Sequence, residues 1–85
     1  MKKQTTADPL LERVRKVLSG FLKMKIDEIQ ADSHLINDLG IDSVDFWEVI
    51  AKMEKEFSIK VPQGEVPPVV FVRDIVKLVQ DRSSK

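Results

Sequence analysis

Phe46, Val49, Ile50, Met53 and Phe57 follow one another at steps of three, one, three and four residues. That spacing puts apolar side chains on one face of an α-helix. Asp45, Glu48, Lys52 and Lys55 fall on the opposite face, with Val44 and Ala51 also directed outward and Trp47 at the border. Glu48 and Lys52 stand four residues apart, which makes them a favourable ion pair on the wet side. The predicted helix spans Ser43 to Phe57. A single stripe of this kind needs other elements to cover it.

Two further stripes answer that need. Asp8-Pro9 reads as an N-cap followed by proline at the first helical position. Leu11, Val14, Leu18 and Phe21 then recur at helical spacing, widened by Leu10 and Val17, while Glu12, Arg13, Arg15 and Lys16 take the wet side. This helix is predicted to run to about Leu22. A last one, from about Val72 to Gln80, is marked by Val72, Ile75, Val76 and Val79. Between the first two helices lies a long connection, Lys23 to Asp42, with Ile26, Ile29, Leu35, Ile36 and Leu39 spaced through it. Connections this long usually carry structure or function of their own. Asp32-Ser33 is expected to start one helical turn, with Leu35 and Ile36 pinning the segment to the core. Gly40 permits a sharp turn just before the second helix. Ile59-Lys60-Val61-Pro62 alternates like a short extended piece, and Pro67-Pro68 forbids regular helix there. The expected fold class is all-α, with three main helices, a long first loop and an irregular second connection.

Composition then removes whole classes of function. The 85 residues suffice for one small domain, placed at 8–81, with Met1–Ala7 and Arg82–Lys85 expected as flexible tails. There is no cysteine, hence no disulfide framework, thiolate metal site or cysteine nucleophile. Any thiol this protein uses must arrive with a cofactor. With 14 basic against 14 acidic residues, no positive excess exists to drive nucleic-acid binding. No apolar run is long enough to cross a bilayer, and Met1–Ala7 lacks the apolar segment of a secretory signal. A soluble, cytoplasmic monomer is expected. A calcium loop centred on Gly40 would need acids at Leu35 and Leu39 and a glutamate at Phe46, so no metal site is expected. Gly-x-Ser-x-Gly and phosphate-binding Gly-rich loops are absent too, and no enzymatic activity is expected.

Chemistry is concentrated in the run Asn37-Asp38-Leu39-Gly40-Ile41-Asp42-Ser43-Val44-Asp45. It should leave the Ser43 hydroxyl exposed at a helix N-terminus, where free backbone N–H groups and the helix dipole favour a phosphate ester. Taken alone, an Asp-Ser pair before an apolar run is simply a helix cap. Acids such as Asp45 and Glu48 likewise complement the helix dipole without any partner. Phe46, Ile50 and Met53 are first of all core residues, and Trp47 is either half-buried packing or an exposed anchor. His34, the sole histidine, is expected in a surface or capping role.

Together with Ile29 and Leu35 before it, and Phe57 and Ile59-Lys60-Val61-Pro62 after it, this run resembles the acyl carrier proteins of the fatty-acid and polyketide type. Asp38-Leu39-Gly40-Ile41-Asp42-Ser43-Val44-Asp45 is similar to the family's Asp-Leu-Gly-x-Asp-Ser-Leu-Asp, and the likeness extends from about Leu10 to Val79. The resemblance implies an acyl-carrier-like helical bundle whose short third helix is here short or irregular because of Pro67-Pro68. It also implies a 4′-phosphopantetheine arm on Ser43, donated from coenzyme A by a phosphopantetheinyl transferase, with acyl groups held as thioesters on its thiol. Asp42, Val44, Asp45, Glu48 and Ala51 would then meet partner enzymes such as ketosynthases, dehydratases and acyltransferases. Leu35, Phe46, Ile50 and Met53 would shelter the acyl chain. The neutral charge, Lys52 and Lys55 within the acidic face, and the bulk of Phe46-Trp47 depart from the family pattern and point to a specialised member. The alternatives are a helical interaction subunit related to carriers, with Ser43 as an N-cap, and a carrier of amino-acid cargo. A serine hydrolase is a more distant third class.

Overall fold

The computed structural model describes residues 9–83, which form three α-helices: α1 (Pro9–Leu22), α2 (Ser43–Phe57) and α3 (Val72–Ser83). Single 3-10 turns stand at Ile26–Glu28 and Gln63–Glu65. The ends of α1 and α2 fall where the apolar stripes place them. The expected cap Asp8, the segment Met1–Ala7 and the last two residues lie outside the described range. α3 runs beyond Gln80, so Arg82 and Ser83 are helical rather than part of a tail. Arg82 Nη2 donates to Glu65 Oε1 at 2.6 Å, and Ser83 Oγ donates to the Val79 carbonyl at 2.7 Å. Both contacts extend the helix past its apolar stripe.

α1 packs against both α2 and α3, so the core is the space the three helices enclose. Val14 and Leu18 fill it from α1, Val49, Ile50 and Met53 from α2, and Val72, Ile75 and Val79 from α3. Each large aliphatic side chain removed from water contributes roughly 1.5–3 kcal/mol before entropy is counted. α1 and α2 both end through a left-handed residue that is not glycine, Lys23 at φ 58° and Ser58 at φ 56°. The following N–H groups fold back to the helix: Met24 to the Ser19 carbonyl at 3.2 Å and Ile59 to the Glu54 carbonyl at 3.1 Å.

The long first connection is held from two sides. Arg15 of α1 donates through Nε to the Ile29 carbonyl at 2.6 Å and through Nη2 to the Ile26 carbonyl at 2.9 Å, while Glu12 accepts from Nη1 at 2.6 Å. Further along, the Ser33 and Ala31 carbonyls accept the N–H groups of Val72 and Arg73, at 3.1 and 2.9 Å. The loop backbone thus satisfies donors that α3 leaves open at its start. Asp74 completes the cap, its Oδ2 accepting from Phe71 N–H at 2.9 Å and Val70 N–H at 3.0 Å. The helical turn expected from Asp32-Ser33 forms later, after His34. Leu35 is buried as expected, but Ile36 is 64% exposed and pins nothing to the core. Its place is taken by Ile29, Leu39 and Ile41, all buried.

After α2, Ile59 and Val61 are buried and Lys60 is exposed, the alternation of an extended segment. Glu54 Oε2 accepts the Val61 N–H at 2.7 Å and locks that segment to the helix. Only the 3-10 turn Gln63–Glu65 stands where a short helix would; Val66 is extended, and the chain from there through the two prolines to Val70 has no regular structure. Leu35 N–H donates to the Val70 carbonyl at 2.9 Å, next to an isolated antiparallel bridge between His34 and Phe71.

The N–H groups of Phe71 and then Val70, aimed at the carboxylate, hold the pKa of Asp74 below its ordinary 3.8. A lowered folded-state pKa adds stability that is present above the unfolded value and is lost as pH falls through the folded one. Asp74→Ala is expected to cost about 1 kcal/mol in urea unfolding at neutral pH. The gap from wild type should close as the solution is acidified below the ordinary carboxylate range. A gap that is constant with pH would show that the carboxylate charge plays no part.

Candidate functional site

The turn leading into α2 is built by polar groups that bond locally. His34 Nδ1 accepts from the N–H groups of Ile36 and Asn37 at 3.2 and 3.0 Å, and Asp38 Oδ2 accepts the His34 N–H at 2.7 Å. His34 is therefore a capping residue, with its ring edge-on to Phe71 at 5.5 Å between centroids. Gly40 closes the turn at φ 70°, a conformation costly for a residue with a Cβ, although a methyl there would meet nothing within 4 Å. Ile41 is buried and anchors the chain, and its N–H donates to the Leu35 carbonyl at 2.9 Å.

Asp42 then caps α2. Its backbone is extended (φ −89°, ψ −175°), its Oδ1 accepts the Asp45 N–H at 2.8 Å, and its carbonyl accepts the Phe46 N–H at 2.8 Å. Capping belongs to Asp42, so the alternative that made Ser43 the N-cap does not hold. Ser43 is the first helical residue and is exposed, and its hydroxyl makes no hydrogen bond among the described residues. A phosphate ester on its oxygen would displace no existing bond. The N–H groups of Ser43 and Val44 likewise have no acceptor among the described residues and open toward solvent at the positive end of the helix dipole.

One wall of a groove of about 510 Å³ begins at Ser43. Leu35 and Phe46, two of the four residues predicted to shelter a chain, line it. The other two, Ile50 and Met53, lie in the closed core, 3% and 1% exposed. The facing wall is Val66, Pro67, Pro68 and Val69, of which the sequence pattern singles out only Pro67-Pro68, as a break in regular helix. The available signal was the group of valines around the two prolines, apolar residues with no helix to join. Trp47 also borders the groove, 39% exposed and edge-on to Phe46 with centroids 5.2 Å apart. It packs and remains accessible at once.

Asp42, Val44, Glu48 and Ala51 are exposed along the outer side of α2, and Val44 reaches 70%. Asp45 is half-buried, its N–H engaged by Asp42. Glu48 and Ala51 turn toward a second groove, between α1 and α2. The expected Glu48–Lys52 ion pair does not form among the described residues. Lys52 instead places its Nζ over the Phe21 ring, 5.6 Å from the centroid.

Fold and site together define a small helical domain that presents one unbonded hydroxyl at a helix start, beside an apolar groove. Residues 12–71 match the family described as the phosphopantetheine attachment site. The chain is 34% identical to the acyl carrier protein of Rickettsia bellii over 83 residues, 98% of this chain and 96% of that protein. It is 35% identical to the acyl carrier protein of Borreliella burgdorferi over 75 residues, 88% of this chain and 94% of the relative. The chain belongs to the acyl carrier proteins, the family that carries the phosphopantetheine attachment site. It is a non-catalytic carrier that holds acyl intermediates on a 4′-phosphopantetheine arm.

Asp42→Ala removes the acceptor of the Asp45 N–H and is expected to lower stability by about 1 kcal/mol. Hydrogen exchange at the Asp45 amide should quicken while amides in the middle of α2 change only with global stability. An unchanged Asp45 amide would show that the cap is not formed in solution.

Proposed function

We propose that Ser43 bears the phosphopantetheine arm and that the domain, which the sequence places at 8–81 and α3 carries on to Ser83, presents acyl thioesters from that point to successive enzymes. The observation that carries this reading is the division of labour at the start of α2. Asp42 supplies the cap, which leaves the Ser43 hydroxyl exposed and unbonded on the first helical residue. Among the described residues no side chain is bonded to that hydroxyl to activate it, so the proton is taken by the phosphopantetheinyl transferase. When bound, the arm supplies the thiol that this cysteine-free chain lacks.

The groove next to Ser43 is the natural shelter for an acyl chain. Leu35 and Phe46 meet the chain first, Trp47 and the Val66–Val69 segment form its rim, and Ile50 and Met53 are reached only if the groove deepens into the core. Each methylene buried there gains about 0.8 kcal/mol, and opening close-packed side chains forfeits contacts in return. Asp42, Val44, Asp45, Glu48 and Ala51 form the surface offered to the transferase and to ketosynthases, dehydratases and acyltransferases of fatty-acid, lipid or polyketide synthesis. The reading extends to a cytoplasmic monomer, and also to a specialised carrier, the latter supported by the balanced charge and by the lysines and bulky aromatics of α2.

Incubation with coenzyme A and a promiscuous phosphopantetheinyl transferase, read by intact mass, is expected to add one phosphopantetheinyl group to wild type and none to Ser43→Ala. No gain on wild type, with a known carrier loaded in parallel, would refute the assignment, as would a gain on the variant.

Trp47 is the only tryptophan, so its fluorescence reports on the groove. Loading an apolar acyl chain onto the arm is expected to shift its emission to the blue relative to the unacylated arm, and Val66→Asp should reduce that shift. Identical spectra for the two loaded forms would place the chain elsewhere.

A further inference from the structure

The groove between α1 and α2 has a charge opposite to that of the acids around Ser43. Its volume is about 690 Å³, and its floor includes Val17, Phe21 and Ala51. Lys16 reaches it from α1, and Lys52 and Lys55 from α2, against one acid, Glu48. None of the three lysines has a carboxylate partner among the described residues. The arginines of α1 behave differently, since Arg13 pairs with Glu56 across the helices at 3.0 Å and Arg15 with Glu12 at 2.6 Å. Scattered surface lysines are usually just a solvated face. Here lysines from two helices line one groove above the half-buried Val17 and Phe21, and Lys52 lies against the Phe21 ring instead of pairing with Glu48 four residues away.

We propose that this groove docks a partner protein through an acidic amphipathic helix, its carboxylates meeting Lys16, Lys52 and Lys55 while an apolar side chain fills the floor. Two packed helices leave a furrow that accepts a third, read through anchors at i, i+3 or i+4 and i+7. A flat anionic membrane would engage the lysines but leave the furrow unfilled. Lys52 lies nine residues after Ser43, roughly 14 Å along the helix axis. A partner seated here would stand beside the attachment residue without covering it. The groove binds whether or not Ser43 is modified, so this inference stands apart from the assignment of Ser43.

The test is a titration of the isotope-labelled full chain, followed by amide NMR shifts. The probes are a synthetic helical peptide with a leucine stripe flanked by glutamates, its counterpart with lysines for glutamates, and phosphatidylglycerol vesicles. The acidic peptide alone should bind, shifting the amides of Gly20, Phe21, Ala51 and Lys52. Salt should weaken it, and the exposed double reversal Lys52→Glu with Lys55→Glu should lower affinity about tenfold, two screened contacts of under 1 kcal/mol each. Circular dichroism confirms that the reversed variant is folded. Ser43→Ala should bind the peptide as wild type does. Equal binding by the lysine peptide, shifts centred elsewhere, or indifference to the double reversal would overturn the proposal. So would stronger binding to vesicles, or self-association of the chain through the same amides.

Discussion

The backbone of the segment from Ile26 to Leu35 is where α1 and α3 are tied together, just ahead of the turn into α2. Arg15 grips two of its carbonyls from α1, two more accept the first N–H groups of α3, and the Leu35 N–H reaches across to Val70. Each such bond contributes on the order of 1 kcal/mol when made, and leaving a buried partner unsatisfied costs more. The features around Ser43 follow from this tether. It fixes where α3 begins, and through Val70 it holds the irregular run that forms the far wall of the groove. It also delivers the chain to the turn at His34 and Gly40. A loop that joins two helices in sequence thus acts in space as the frame for the third.

At the end of that frame, two adjacent polar residues separate structure from chemistry. A carboxylate and a hydroxyl can each cap a helix, and a serine that capped α2 would have its oxygen committed to a backbone N–H. Because Asp42 accepts the Asp45 N–H, stability is assigned to the residue before Ser43 and the hydroxyl stays available. Gly40 makes this possible, since its positive φ turns the chain sharply enough for Asp42 to meet α2 in an extended conformation.

The helices were legible because their burial is periodic: α2 begins at Ser43 and ends at Phe57 as the stripe from Phe46 to Phe57 requires. The exposed hydroxyl was legible too, as a consequence of the turn residues before it. Contacts between elements distant in sequence were not. Nothing local in Ala31 or Ser33 announces that their carbonyls complete α3, and nothing in Ile36 distinguishes it from its buried neighbour Leu35. The groove wall escaped for a related reason. Pro67-Pro68 declares what the backbone cannot form, while the surface it makes instead depends on where Val70 is tethered. Lys52 shows a subtler limit. Its spacing from Glu48 favours a pair, but an exposed pair is worth only a few tenths of a kcal/mol, so a nearby aromatic face competes on equal terms.

The zero net charge of the chain is the sum of unlike regions. Asp38, Asp42 and Asp45 gather around the start of α2, and Lys16, Lys52 and Lys55 converge farther along it. α2 has 15 residues and is about 22 Å long, whereas charges in physiological salt are screened within about 8 Å. The start of α2 and the α1–α2 groove therefore present separate fields to an approaching protein. The neutral total says little about recognition, because a partner senses the local sign. A protein approaching the start of α2 meets acids, and one approaching the α1–α2 groove meets amines. Opposite fields at the start of α2 and in the α1–α2 groove can also orient a partner about the residue proposed to bear the arm, because reversing its approach would bring like charges together.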